Sequence, residues 1–421
     1  MTAARPRKVA LLHYSAPPVI GGVENVILAH ASLFLEANCS VTVLAGTGRK
    51  KALPSGTEYI GIPGLDSQNS QILKMNQELE QGRVPPDFEK MVTLIEKVLA
   101  PLLQPMDLLI VHNVFTKHFN LPLTAALLRL LDQGFIRHCV AWCHDLTWTS
   151  PSSRKKVFSG YPWDLLRTQR PDLIYVTVSR ERQRELADLF GCAPEQIRVI
   201  YNGVDPQALL ALSDTGLDLI DRLNLWESDL NLLMPVRVTQ AKNIELALHL
   251  VAILKEKGIH SKLIVTGPPD PHDPMNMEYF RALLHLRRQL RIVHEMCFVY
   301  ESGPNPKEPF IVEMSVVADL LRVSDALFMP SHREGFGMPV LEAGLAGIPV
   351  FCSTRVPAAK EIGGQDVLTF SPDADADQVA SLILNWVENS PLFRLRRRVR
   401  QGLTWRGIFH RQILPLLDPA I

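Results

Sequence analysis

Two carboxylates, two glycines and a proline fall within nine residues, Glu334-Gly335-Phe336-Gly337-Met338-Pro339-Val340-Leu341-Glu342. An apolar run, Ala326–Met329, precedes them, so the spacing predicts a strand, a glycine loop and a helix. Glycines let a backbone approach a ligand closely, and Pro339 suits the first turn of a helix. The amides and positive dipole end of such a helix favour a diphosphate. Glu342, one turn in, can accept hydrogen bonds from ribose hydroxyls, and Glu334 can reach the hydroxyls of a sugar. The bland reading is an ordinary strand, loop and helix with a surface acid. It leaves the clustering of acid, glycines, proline and second acid unexplained.

A second group, Arg237-Val238-Thr239-Gln240-Ala241-Lys242, follows the apolar run Leu232–Val236. Two cations at a strand end can bracket a diphosphate leaving group, the arginine as a planar fork and the lysine as a point charge. On its own the pair reads more simply as solvated loop residues. A third group is His138-Cys139-Val140-Ala141-Trp142-Cys143-His144-Asp145. On a strand the two cysteines face one side and the two histidines the other, so four metal ligands do not converge and no metal is expected. His144 then reads as a structural histidine or a ligand contact.

The elements that must position these residues repeat one pattern. Lys8–His13 is apolar, Gly21 and Gly22 follow, Val23–Glu36 has helical periodicity, and Ser40–Ala45 is apolar again. Further apolar runs fall at 107–112, 140–143, 173–179 and 197–201, the last leading into Asn202-Gly203-Val204-Asp205, which reads as a turn. Residues 64–90 are polar, contain Pro85-Pro86, and read as an insertion or mobile loop. A second alternation starts near Leu230 and includes Lys262–Thr266, which runs into Gly267. The fold class is α/β: two Rossmann-like doubly wound domains facing across a cleft. Expected bounds are an N-terminal domain over 1–210, a C-terminal domain over 211–390, and a helical tail over 391–421 packing back on the first domain. In such sheets ligands bind outside the carboxyl ends of the strands.

Composition narrows the class. The chain has 421 residues, 47% of them hydrophobic and 21% charged, with 44 basic and 44 acidic side chains. A zero formal balance argues against a dedicated nucleic-acid binder. No apolar run reaches the roughly 18–20 residues of a membrane span, and the N-terminus lacks the apolar stretch of a signal peptide. A cytoplasmic location is expected, and the six scattered cysteines fit reduced thiols. The arginine-rich stretch 394–400 reads as a solvated helix face, with contact to an anionic membrane surface as the sharper alternative.

Taken together, these motifs resemble those of the retaining glycosyltransferases of family 4, which have the GT-B fold. The likeness rests on the Glu334/Glu342 spacing, Arg237 and Lys242, the Gly21-Gly22-Val23-Glu24 start, Asn202-Gly203-Val204-Asp205, and Gly267 after a strand, and it covers nearly the whole chain. It implies a nucleoside-diphosphate sugar as co-substrate, no required cofactor, and a carbohydrate-type acceptor. It implies that Arg237 and Lys242 contact the donor diphosphate, that Glu334 lies against the donor sugar, and that Glu342 binds the ribose. Amides near Gly335, Phe336, Gly337 and Met338 would hold sugar hydroxyls and phosphate. Gly21 and Gly22 would approach the diphosphate and acceptor, and His144 would sit at the sugar.

On the acceptor side, His112 and Asn113 follow a strand, and Trp148, Tyr161 and Trp163 offer stacking or packing faces. Arg355 and Glu361 fit a wall near the nucleobase. The stretch Pro271-His272-Asp273-Pro274 with Tyr279-Phe280 is loosely similar to the branch holding sucrose-phosphate, trehalose and glucosylglycerate-type synthases, which points to a small soluble acceptor. Transfer to a lipid or polysaccharide and an inactive nucleotide-sugar binding protein stay open as alternatives. Donor base, acceptor, oligomeric state and peripheral membrane contact are left open.

Overall fold

The computed structural model describes residues 5–270, 275–305 and 307–418. The chain divides into two compact units, Met1–Gly203 with Trp405–Ile421, and Val204–Thr404.

The first unit is built on seven parallel strands: β1 (Lys8–Ser15), β2 (Ser40–Thr47), β3 (Glu58–Gly61), β4 (Leu108–His112), β5 (Cys139–Cys143), β6 (Leu173–Thr177) and β7 (Arg198–Val199), in the order β3-β2-β1-β4-β5-β6-β7. Its helices are α1 (Gly22–Glu36), α2 (Ser70–Leu79), α3 (Phe88–Leu103), α4 (Leu121–Asp132) and α5 (Arg180–Phe190). Every residue of β4 and β5 is buried. That is why these strands read as unbroken apolar runs: helices cover both faces of a parallel sheet. The polar stretch 64–90, expected as a loop, carries α2. Ile72, Met75 and Leu79 recur at helical spacing on its buried side, and Asn69 caps its start by accepting from the Gln71 amide.

The second unit holds six parallel strands: β8 (Leu230–Met234), β9 (Ser261–Val265), β10 (Met296–Phe298), β11 (Ala326–Met329), β12 (Val350–Ser353) and β13 (Leu368–Phe370), in the order β10-β9-β8-β11-β12-β13. Its helices are α6 (Pro206–Leu210), α7 (Asp214–Arg222), α8 (Ile244–Glu256), α9 (Met275–Gln289), α10 (Met314–Val323), α11 (Met338–Ala346), α12 (Ala376–Asn389) and α13 (Pro391–Gly402). A short helix, α14 (Trp405–Ile408), returns to the first unit.

In each sheet the strand order reverses once, between β1 and β4 and between β8 and β11. Loops leaving the two strands at such a reversal diverge and open a crevice. The 391–421 tail is divided between the units: α13 packs Phe393 into the core of the second, while residues from Trp405 onward belong to the first. The arginine stretch is not wholly a solvated face either. Arg400 is buried and donates through Nη1 to both carboxylate oxygens of Asp325 at 2.8 Å, with the Ser228 carbonyl accepting from Nη2 at 2.9 Å. A buried carboxylate demands such a partner, and this one fastens α13 beneath β11.

Candidate functional site

In the second unit, the loops leaving β8 and β11 enclose a cavity of about 540 Å³. It is lined by Arg237, Thr239 and Lys242 from the first loop, by Arg333, Glu334, Gly335 and Pro339 from the second, and by Asp270. Two groups far apart in sequence thus meet at the point where strand order reverses.

The two loops are fastened by an ion pair and hydrogen bonds. Lys242 Nζ lies 2.7 Å from Glu334 Oε1, and both side chains are mostly buried. Ser331 Oγ donates to the same Oε1 at 2.9 Å. The Ala241 carbonyl accepts from the amides of His332 at 2.9 Å and Arg333 at 3.3 Å, so backbone as well as side chain joins the two loops. Arg237 is held more loosely, 3.5 Å from Asp270 Oδ2, with its side chain 59% exposed. A guanidinium in that state can turn to an arriving anion at little cost.

Two glycines show why the motif needs them. Gly337 caps α11 with φ at 101°, and an added Cβ would stand 2.5 Å from Val356 Cγ1. A side chain there meets both a forbidden backbone angle and an occupied space. Gly267 lies against the backbone of Val236 and Arg237; its Cβ would come within 2.4 Å of the Val236 carbonyl oxygen. It thereby lets the loop after β9 pack on the Arg237 loop, with Gly267 donating its amide to Val236 at 3.0 Å. Pro339 stands in the first turn of α11 as its spacing predicts. Phe336 and Met338 are exposed, and Glu342 is half-buried one turn in. Gly267, Phe336, Gly337, Met338 and Glu342 are not among the residues that line the cavity. Arg355 and Glu361 are also outside that lining and both are exposed. The Pro271–Pro274 motif lies outside the described residues.

The first unit assembles a different set. Gly21 caps α1 in extended conformation, Gly22 opens it, and Glu24 in the first turn accepts from Ser15 Oγ at 2.5 Å. At the carboxyl ends of β1, β4 and β5, His13, His112 and His144 meet His30 of α1, all four buried. His13 donates from Nδ1 to the His112 carbonyl at 2.9 Å, and His112 Nδ1 lies 3.2 Å from His144 Nε2. The ring of His30 packs on Trp142 at 4.6 Å and on Trp405 at 5.6 Å. Burial holds His30 and His144 at a pKa of about 3, with like-charge repulsion adding to it from His144 in the first case and from His13 in the second. His112 is pushed well below the ordinary value by the same causes. The cluster is therefore neutral at pH 7.

Asn113 is engaged structurally. Its Oδ1 accepts from the amides of His144 and Asp145 at 2.9 and 3.1 Å, which fixes the loop after β5 to the loop after β4. Trp148 is enclosed: its Nε1 donates to the Trp163 carbonyl at 3.3 Å, and the guanidinium groups of Arg154 and Arg167 lie 4.4 and 4.1 Å from its ring. It packs instead of standing open for an acceptor. Sequence reasoning overlooked His30, and it included Ser331 in the acidic segment without giving it a role. Helical spacing with Val26, Ile27, Ala31 and Phe34 could have turned His30 inward. Ser331 carried no signal beyond its place three residues before Glu334.

Among the described residues no group of three or more His, Cys, Asp or Glu is placed to hold a metal ion. Among the same residues, no helix is long and apolar enough to cross a membrane. All six cysteines are unpaired.

Comparison with known proteins divides the chain similarly. Residues 20–208 match the family model described as Glycosyltransferase Family 4, and residues 219–402 match the one described as Glycosyl transferases group 1. An uncharacterized glycosyltransferase of Methanocaldococcus jannaschii is 26% identical over 222 residues, 50% of this chain and 51% of that protein. The mannosylglucosylglycerate synthase of Petrotoga mobilis is 24% identical over 331 residues, 74% of this chain and 75% of that protein. An MMP alpha-(1->4)-mannosyltransferase of Mycolicibacterium hassiacum is 24% identical over 444 aligned positions that cover 95% of each. The chain spans about half the length of the first of these relatives and more of the other two. Among solved structures, a sucrose-phosphate synthase from Thermosynechococcus elongatus is 17% identical, with 97% of this chain and 99% of that one covered at a TM-score of 0.38.

Proposed function

We propose a specific reaction for this chain, which is a GT-B glycosyltransferase related to family 4: it moves a hexosyl group, with retention of anomeric configuration, from a nucleoside-diphosphate sugar to a hydroxyl of a small soluble acceptor. The observation that carries the reading is the convergence of Arg237, Lys242 and Glu334 on one cavity at the strand-order reversal of the second unit. A relative whose printed name denotes a mannosylglucosylglycerate synthase supports the choice of a small acceptor.

In this scheme Arg237 and Lys242 hold the donor diphosphate, Glu334 and the Gly335 amide meet the sugar, and Glu342 takes the ribose. Gly267, Phe336, Gly337 and Met338 shape the donor loop. Gly21 and Gly22 approach the diphosphate and acceptor, and His144 meets the sugar. The bond between the anomeric carbon and the diphosphate oxygen breaks while the acceptor oxygen bonds to that carbon from the same face. The acceptor proton passes to the departing diphosphate. Negative charge grows on that group in the transition state, so fixed cations and the amides at the start of α11 stabilise it more than the ground state.

A thermal-shift screen of UDP-, GDP- and ADP-sugars tests the proposal, because a ligand of the folded state raises the melting temperature by mass action. A hit is then incubated with sugars, sugar phosphates and glycerate-type acceptors, and the anomeric configuration of the product is read by NMR. An inverted product, or no shift with any nucleotide-sugar, counts against it.

A further inference from the structure

Glu334 is held in an asymmetric way. Both Lys242 Nζ, at 2.7 Å, and Ser331 Oγ, at 2.9 Å, bond to Oε1. Among the described residues Oε2 has no hydrogen-bond partner. An ionised carboxylate offers about four acceptor positions over its two oxygens, so two donors on one oxygen leave the other able to accept from a ligand on a residue that lines the cavity.

The hydroxyl that holds Oε1 is itself supported from the core. Ser331 and Ser353 are both fully buried. Ser353, the last residue of β12, donates from Oγ to the Ser331 carbonyl at 2.5 Å, and its Oγ accepts from the Arg355 amide at 3.3 Å. A hydrogen-bonded line therefore runs from the neighbouring strand through Ser331 to the carboxylate. A lysine alone is a poor positioner: its ammonium sits on a four-carbon stem and has no preferred direction of approach. Ser331 has a short, fixed arm, and it gives the carboxylate an orientation that the lysine cannot.

We infer that Ser331 is a positioning residue for Glu334: together with Lys242 it fixes Oε1, so that Oε2 is the oxygen presented to a hydroxyl of the donor sugar. This rests on the reading of the cavity as a nucleotide-sugar site. It sets a chemical requirement on the ligand, since the group that meets Oε2 must donate a hydrogen bond; a sugar lacking that hydroxyl, or bearing fluorine in its place, loses the contact.

The role separates from mere packing in a binding measurement. UDP, GDP and ADP, and UDP-glucose, GDP-mannose and ADP-glucose, are titrated calorimetrically into the wild type, Ser331→Ala, Glu334→Gln and the double variant. Loss of a charge-assisted bond to the carboxylate is expected to weaken the nucleotide-sugar about tenfold in Ser331→Ala, while affinity for the matching nucleoside diphosphate stays at the wild-type level. In the Glu334→Gln background, Ser331→Ala is expected to add little, because the group it orients is already changed. Equal weakening of diphosphate and nucleotide-sugar, or the same loss with and without Glu334, overturns the role while leaving the transferase reading intact. A wild type that binds none of the six ligands overturns both. If Ser331→Ala does not fold, Ser353→Ala carries the same test one bond farther out, with a smaller selective loss expected and an unselective one decisive against the role.

Discussion

Lys242 and Glu334 stand 92 positions apart in sequence and 2.7 Å apart in space. Removing either partner leaves a mostly buried charge unpaired, which costs roughly 3 kcal/mol in addition to any loss of ligand contact. Lys242→Ala and Glu334→Ala are each expected to lower turnover by more than about tenfold. Measured as kcat/KM, the double variant should fall well short of the product of the single losses, because one pair is being broken twice. A second expectation concerns the buried histidines. His30 and His144 titrate near 3 in the folded chain and near 6.5 when unfolded. Between those values the unfolded state binds more protons, so stability is fully present above about pH 6.5 and is lost as pH falls towards 3. At pH 5 each contributes a loss of about 2 kcal/mol. Scanning calorimetry at pH 7, 6 and 5 should show the transition of the first unit falling, and His30→Gln should flatten that slope. The residues of the cavity were legible in the sequence because each group is local. The histidine cluster was not, because its members come from three strands and a helix that only folding brings together.

Helices and loops set the next level of expectation. Gly335 and Gly337 are two residues apart, yet they should respond differently to alanine. Space around Gly335 is open and its backbone angle is ordinary, so Gly335→Ala should leave the melting temperature nearly unchanged. Gly337→Ala forces a left-handed angle and drives a methyl into Val356; it should cost at least about 1–3 kcal/mol and tilt the start of α11. Thermal denaturation reads the first effect and nucleotide-sugar affinity the second. The same level explains what the sequence concealed. Central strands such as β4 and β5 are buried throughout and declare themselves as apolar runs. The edge strands β3 and β13 are short and partly exposed, with mixed composition, so periodicity had little to grip. In α2 a polar majority hid three inward residues at helical spacing. In α13 charge suggested solvent, but the Asp325 carboxylate claims Arg400 from below. That demand arises from a residue 75 positions away, and no local pattern announces it.

At the scale of the whole molecule, the second unit is continuous in sequence and the first is not. Residues 204–404 form one body, and the chain then returns to complete the other. The returning segment is part of a core: Phe409 packs edge-on against Phe34 at 4.9 Å, Trp405 against His30, and the Leu416 carbonyl accepts from His138 Nε2 at 2.7 Å. Ile408, Ile413 and Leu416 are buried with them. Each buried aromatic or branched aliphatic side chain is worth about 2–5 kcal/mol, so together they match a typical stability margin of about 5–15 kcal/mol. A chain ended after Thr404 should therefore lose the cooperative transition of the first unit while keeping that of the second, as calorimetry with limited proteolysis would show. The same arrangement sets an order of events during synthesis. Residues up to 203 leave the ribosome with the face around His30 and Phe34 still bare. Roughly 200 residues must follow before the covering segment arrives. At about 5–20 residues per second that interval lasts about 10–40 s. Throughout it the nascent protein offers chaperones an apolar surface, and the segment from Trp405 onward closes it.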